Sequence, residues 1–162
     1  MTKTRPGRPT TPASRRIAMV RHADDRLRYV ESSALLAALL EHDGAALGAL
    51  RKRGRLVTSA LTFAEAARAI VRARIGGRLT AAQQGSAVRA LQQFERRAAI
   101  AVVSDDVLRR VGRPFPIEPV RTLDAIHLAT IELLGDPADL VTVVTRDARV
   151  RDNAMAMGCA VE

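Results

Sequence analysis

From Leu27 onward, short apolar runs alternate with stretches in which apolar positions recur every three or four residues. That alternation is the signature of a parallel sheet covered by helices on both faces. Residues 28–31 (Arg-Tyr-Val-Glu) read as the first strand, and Ser32 or Ser33 caps a helix over 34–40 that is apolar all round and therefore buried. Asp43-Gly44 ends it. A second helix is expected over 45–53, with Arg51, Lys52 and Arg53 near its electronegative end, followed by a strand over 55–58. A helix over 60–74 stops at Gly76-Gly77. Thr80 and Gln83 have the spacing of a capping box and open a long helix reaching Arg97, with Val88, Leu91 and Phe94 inward. These two helices form an arm or hairpin. A third strand falls over 100–103, Ser104-Asp105-Asp106 begins a helix ending near Gly112, and 114–119 is a loop. Thr122 caps a helix over 123–134, 140–145 is the strongest strand in the chain, and 147–157 is the last helix, with Ala160-Val161 as an edge strand.

The chain has 162 residues, the size of one domain able to bury on the order of 70% of its unfolded surface. With 48% apolar and 27% charged residues it is neither disordered nor of low complexity. The longest apolar run, Ala34 to Leu40, is far shorter than the ~18 residues of a spanning helix, and no secretory signal is apparent. A cytoplasmic protein without a membrane partner is expected. Cys159 is the single cysteine, which excludes an intrachain disulfide and a cysteine zinc site. The net charge of +9 is unevenly spread: residues 1–28 hold eight basic and two acidic side chains, a net +6, and the other 134 hold eighteen and fifteen, a net +3. Residues 1–26, rich in Pro, Thr, Arg and Gly, read as a disordered basic arm, and 27–162 as the folded domain. Aromatic residues make up only 2%, too few for base-stacking platforms, so any nucleic acid is held through its phosphates.

In an open parallel sheet, ligands bind beyond the carboxyl ends of the strands. Glu31 closes the first strand and Asp147 follows the strongest one; Glu65 lies one to two turns into the helix after the second strand, and Asp124 sits in the first turn of its helix. If the helices start on one rim, these four acids converge. Carboxylates 4 Å apart repel by about 4 kcal/mol at an effective dielectric of 20, so such a cluster calls for a cation. Oxygen ligands favour Mg2+ or Mn2+, ions that serve phosphodiester hydrolysis. Each acid also has a structural role open to it, as a cap or a solvated side chain. Thr145 and Ser32 can orient groups at the site through their hydroxyls, and Arg121 and Arg146 can clamp a phosphate. His127 shares a helix face with Asp124 and reads as a packed or hydrogen-bonded histidine; Asp105 and Asp106 read as caps, and Asn153 is left without a role.

The segments Tyr29-Val30-Glu31-Ser32-Ser33-Ala34-Leu35, Thr58-Ser59-Ala60-Leu61-Thr62-Phe63-Ala64-Glu65, Arg121-Thr122-Leu123-Asp124-Ala125-Ile126-His127-Leu128-Ala129 and Val144-Thr145-Arg146-Asp147 come in this order. Together they resemble the acidic motifs of PIN-domain ribonucleases, and are most similar to the VapC toxins of toxin–antitoxin pairs. The resemblance runs from about residue 27 to the end. It implies a three-layer α/β/α sandwich with a central, mainly parallel sheet, and an Mg2+- or Mn2+-dependent endoribonuclease that leaves 5′-phosphate and 3′-hydroxyl ends. It further implies a homodimer, an RNA substrate and a cognate antitoxin protein. Glu31, Glu65, Asp124 and Asp147 fall on the four acidic positions, with Glu31, Asp124 and Asp147 holding the ion and Glu65 serving as a ligand or proton acceptor. The family's first acid is usually Asp, and the extra methylene of Glu31 moves the carboxylate by about 1 Å, a shift that matters at a reacting centre.

A function of another class, a non-catalytic module that binds nucleic acid or a partner through the basic arm, makes a different prediction. Its binding needs no divalent metal, and deletion of residues 1–26 flattens its salt dependence. A metal phosphohydrolase for small esters is a third reading, separated by which substrate competes.

Overall fold

The computed structural model describes residues 26–162, so the basic arm expected at 1–26 lies outside the described residues except for Arg26. The order is β1 (Leu27–Val30), α1 (Ser32–Leu40), α2 (Gly44–Arg51), β2 (Arg55–Ser59), α3 (Ala60–Ile75), α4 (Ala81–Glu95), β3 (Ala99–Ala101), α5 (Asp105–Val111), α6 (Thr122–Leu133), a 3-10 turn (Ala138–Leu140), β4 (Val141–Val144), α7 (Ala148–Ala156) and β5 (Ala160–Val161). The five strands are ordered β3-β2-β1-β4-β5 and every pairing is parallel. In register, Leu27 sits between Arg55 and Val141, and Tyr29 between Val57 and Val143.

Side-chain alternation along the strands divides the interior into two cores. Leu27, Tyr29, Val57, Val141 and Val143 face one side, where they pack with Val107 of α5, Leu128 and Ile131 of α6 and Val150 of α7. Val30, Leu56 and Val144 face the other, with Leu35 of α1, Ala66 and Ile70 of α3, and Leu91 and Phe94 of α4. The result is the expected three-layer α/β/α sandwich, with α1–α4 on one face and α5–α7 on the other. Both central strands, β1 and β4, are buried throughout. No single helix among the described residues is long and apolar enough to cross a membrane.

Arg28 is a buried cation within the sheet, 4% exposed in the central strand. Its Nη atoms donate to the Ala49 carbonyl at 3.0 Å and to both carboxylate oxygens of Glu162, at 3.3 and 2.8 Å, while its buried Nε has no partner among the described residues. Those hydrogen bonds, with one from Lys52, hold the Glu162 carboxyl below its ordinary value.

Element ends differ from the expectation where capping decides them. Arg121, with no side-chain cap, precedes α6, and Thr122 lies inside the helix. The second helix ends at Arg51, where the Lys52 backbone turns extended (φ −61°, ψ 151°) and its Nζ lies 3.0 Å from Glu162. In α4 the inward positions are Ala87, Leu91 and Phe94, spaced by four and three residues, while Val88 is 38% exposed. The capping box of Thr80 and Gln83 forms as expected. Helices α3 and α4 pack on each other and also on α1, so the hairpin forms part of the sandwich.

Gly54 turns the chain into β2 with φ +131°, and a Cβ there would meet the Arg26 carbonyl at 2.7 Å and Arg28 Cδ at 2.9 Å. Gly48, inside α2, has nothing within 4 Å of the same point. Gly54→Ala is therefore expected to destabilise the fold by about 1–3 kcal/mol, whereas Gly48→Ala stabilises it by roughly 0.5–1 kcal/mol. Urea unfolding of the two variants checks the pair; equal effects would contradict it.

Candidate metal centre

The chain runs outward from β1 through β2 to β3, then returns to place β4 on the other side of β1. Connections leaving β1 and β4 therefore diverge, and this switch point opens a crevice at the carboxyl ends of the two strands. Glu31 follows β1 directly and its N–H donates to the Val144 carbonyl at 3.0 Å. Thr145, Arg146 and Asp147 follow β4, Glu65 comes from α3, and Asp124 from the first turn of α6.

Glu31, and neither Ser32 nor Ser33, is the N-cap of α1. Its longer side chain folds back over the helix terminus and is 4% exposed with the rest of the residue. Oε1 accepts from the Ser32 hydroxyl at 2.6 Å, both oxygens accept from the Ser33 N–H at 3.0 Å, and Oε2 accepts from Thr145 Oγ1 at 2.8 Å and from the Ser33 hydroxyl. The same Ser33 oxygen accepts the N–H groups of Arg146, at 2.8 Å, and Asp147, at 3.1 Å, and Thr145 Oγ1 accepts Asp147 N–H at 3.0 Å. The hydroxyls of Ser33 and Thr145 thus bind the ends of β1 and β4 together. Ser33, read from the sequence only as a cap, and His127, read as a packed or hydrogen-bonded histidine, are residues whose part in the site was missed.

Glu65 is half-buried and its Oε2 lies 2.8 Å from His127 Nε2. His127 is 1% exposed, and its Nδ1 lies 2.8 Å from the Tyr29 hydroxyl. One ligand atom each from Glu31, Glu65 and His127 lie within 4.8 Å of one another. Asp124 and Asp147 stand outside that tight set but share its field. Asp147 caps α7, its Oδ1 accepting the N–H groups of Arg149 at 2.8 Å and Val150 at 3.2 Å. The Asp124 carboxyl is pushed above its ordinary value by burial first and then by the charges of Asp147 and Glu31, with Arg121 and Arg149 pulling the other way. Its Oδ2 is buried with no hydrogen-bond partner among the described residues. Buried acceptors are normally satisfied, so an oxygen left bare beside like charges fits a cation ligand. A donor set of carboxylate oxygens suits a hard divalent ion such as Mn2+ or Mg2+.

Arg146, expected near a phosphate, has its Nε on Asp43 at 3.0 Å and Nη1 on the Thr145 carbonyl at 3.3 Å. That hydrogen bond is the main cause holding the Asp43 carboxyl down to about 2. Asn153 ties the loop ahead of α6 to α7: Oδ1 accepts Ile117 N–H and Nδ2 donates to the Ile117 carbonyl, both at 2.9 Å. A groove of about 290 Å3 runs from Ser32 and Glu65 along α3, past Arg68 and Arg72, with Leu123 on its other wall.

The raised Asp124 carboxyl makes a signed prediction. The folded state holds this proton more tightly than the unfolded chain, so its contribution to stability is full below the unfolded value of about 3.9 and is lost as pH rises through the higher folded value. In chelator-treated protein Asp124→Asn should therefore melt above wild type at neutral pH, with the gap closing near pH ~4. A wild type as stable as the variant at pH 7 would contradict the burial and repulsion just described.

The sequence matches the PIN domain family over residues 28–155. It is 37% identical over 137 residues to Ribonuclease VapC35 of Mycobacterium tuberculosis, covering 82% of this chain and 93% of that protein. It is 40% identical over 139 residues to Ribonuclease VapC46 of the same species, covering 82% and 94%. Among solved structures, it is similar in fold to VapBC2 from Rickettsia felis bound to a promoter DNA fragment (TM-score 0.59, 12% identity, 84% of this chain and 97% of that one). A second is VapBC-1 from nontypeable Haemophilus influenzae (TM-score 0.51, 12% identity, 84% and 96%). A match of this extent, on a chain whose acids collect at the β1/β4 switch point, places the protein: it belongs to the PIN domain family.

Proposed function

We propose that this chain is an Mg2+- or Mn2+-dependent endoribonuclease, the toxin component of a type II toxin–antitoxin pair acting in the cytoplasm. The observation that carries the proposal is the buried, unpartnered Asp124 oxygen set against the charges of Glu31 and Asp147. Two relatives at 37% and 40% identity named as ribonucleases support RNA as the substrate class. The VapBC neighbours favour a cognate antitoxin as the protein partner, and a homodimer is the assembly we expect.

Glu31, Asp124 and Asp147 would hold the ion, which when bound supplies charge to a phosphate oxygen and acidifies water. Thr145 and Ser32 keep Glu31 in place through its two carboxylate oxygens. Glu65, bonded through Oε2 to His127, has Oε1 to accept a proton from the attacking water or to join the ligands. Arg121 borders the acids and would contact the phosphate, as would Arg146 once its guanidinium turns from Asp43 and the Thr145 carbonyl. The groove along α3 gives the strand a path past Arg68 and Arg72, where single-stranded RNA is held by its backbone.

Purified chain freed of any bound partner should cut a structured RNA internally with Mg2+ or Mn2+, leave 5′-phosphate ends, and stop in chelator. Asp124→Asn should lower cleavage by at least about 10²-fold while the fold persists by circular dichroism. Cleavage that survives chelator, or an active Asp124→Asn, would overturn the assignment.

A further inference from the structure

We propose that Tyr29 and His127 form a directional hydrogen-bond relay that positions the Glu65 carboxylate for a divalent cation. The proposal rests on the metal-dependent reading above and deepens it.

The direction follows from the donor inventory. A carboxylate only accepts, so the 2.8 Å contact between Glu65 Oε2 and His127 Nε2 is donated by the ring. An imidazole carrying one proton, and donating it at Nε2, accepts at Nδ1. The group 2.8 Å from Nδ1 is the Tyr29 hydroxyl, which is then the donor. A phenol has one O–H to donate, and the ring nitrogen without a proton accepts it. The donors therefore run from Tyr29 to His127 to Glu65.

A histidine serving only the core would satisfy its nitrogens on neighbouring backbone. Here both Tyr29 (0% exposed) and His127 (1%) are buried, yet the relay ends on a half-buried carboxylate at the mouth of the crevice. His127 Nε2 also lies 3.9 Å from Glu31 Oε1, so a ring N–H stands between two like-charged groups. The relay removes rotamer freedom from Glu65, engages Oε2 and leaves Oε1 free to face an ion or a water. It joins residues from β1, α3 and α6, which lie 98 and 62 positions apart in the chain. Groups of this kind behind a metal ligand typically govern affinity by about 10- to 100-fold.

Mn2+ affinity of the full chain, read by electron paramagnetic resonance, tests the relay with no RNA present. His127→Ala should weaken Mn2+ binding by about 10- to 100-fold, Tyr29→Phe should weaken it in the same direction, and His127→Gln, which restores an amide donor, should recover part of the loss. Thermal melts identify any variant that fails to fold. Tyr29→Phe and His127→Gln that fold and bind Mn2+ as wild type does would overturn the proposal. So would a wild-type chain that binds no Mn2+. Nitrogen-15 NMR of wild type gives a metal-free check: a protonated Nε2 with an unprotonated Nδ1 supports the relay, and the opposite tautomer overturns it. Weakened Mn2+ binding in a chain that cuts no RNA would keep the relay and sink the nuclease reading. Metal-dependent RNA cleavage with unaffected variants would do the reverse.

Discussion

Carboxylates of like charge gather only where something else in the fold offsets their repulsion, and the ends of β1 and β4 are built around that constraint. Glu31 receives three hydroxyls and a backbone N–H, Asp147 receives two N–H groups at the start of α7, and Glu65 receives an imidazole. Glu31 and Asp147 cap α1 and α7, and Asp124 lies in the first turn of α6, so each sits where a helix dipole favours a negative charge by roughly 0.3–1 kcal/mol. Asp124 alone keeps a buried oxygen with no donor among the described residues, and burial and the charges of Asp147 and Glu31 raise its pKa. Three acids satisfied and one left short is the arrangement on which the proposed cation site rests.

The order of the strands is what assembles this cluster. With β1 and β4 adjacent at the centre and their connections leaving in opposite directions, Glu31 and Asp147, 116 positions apart, end up joined by the shared hydroxyls of Ser33 and Thr145. In this chain Glu31 folds back onto the α1 terminus as its N-cap, both carboxylate oxygens accepting from Ser33 N–H.

Much of this was legible in the chain. Strand and helix periods located the elements, and the acids at strand ends pointed to one rim, because both signals are local. Element ends were harder: Arg121 before α6 and Glu31 before α1 are not the residue types that capping preference favours, and Val88 and Ala87 compete for one inward position on α4. The pairings that refine the site were invisible for a physical reason. His127 with Glu65 and Arg146 with Asp43 are 62 and 103 positions apart, and no period or spacing announces a contact made only by tertiary folding.

The most direct test of the central claim is where a cation sits. Crystals of the partner-free chain grown with Mn2+ should give an anomalous difference peak at ligand distance from the Asp124 oxygen and from Glu31 or Asp147, at the β1/β4 crevice. No peak there at saturating Mn2+, or a peak confined to another part of the molecule, would contradict the account and return the four acids to capping and solvation.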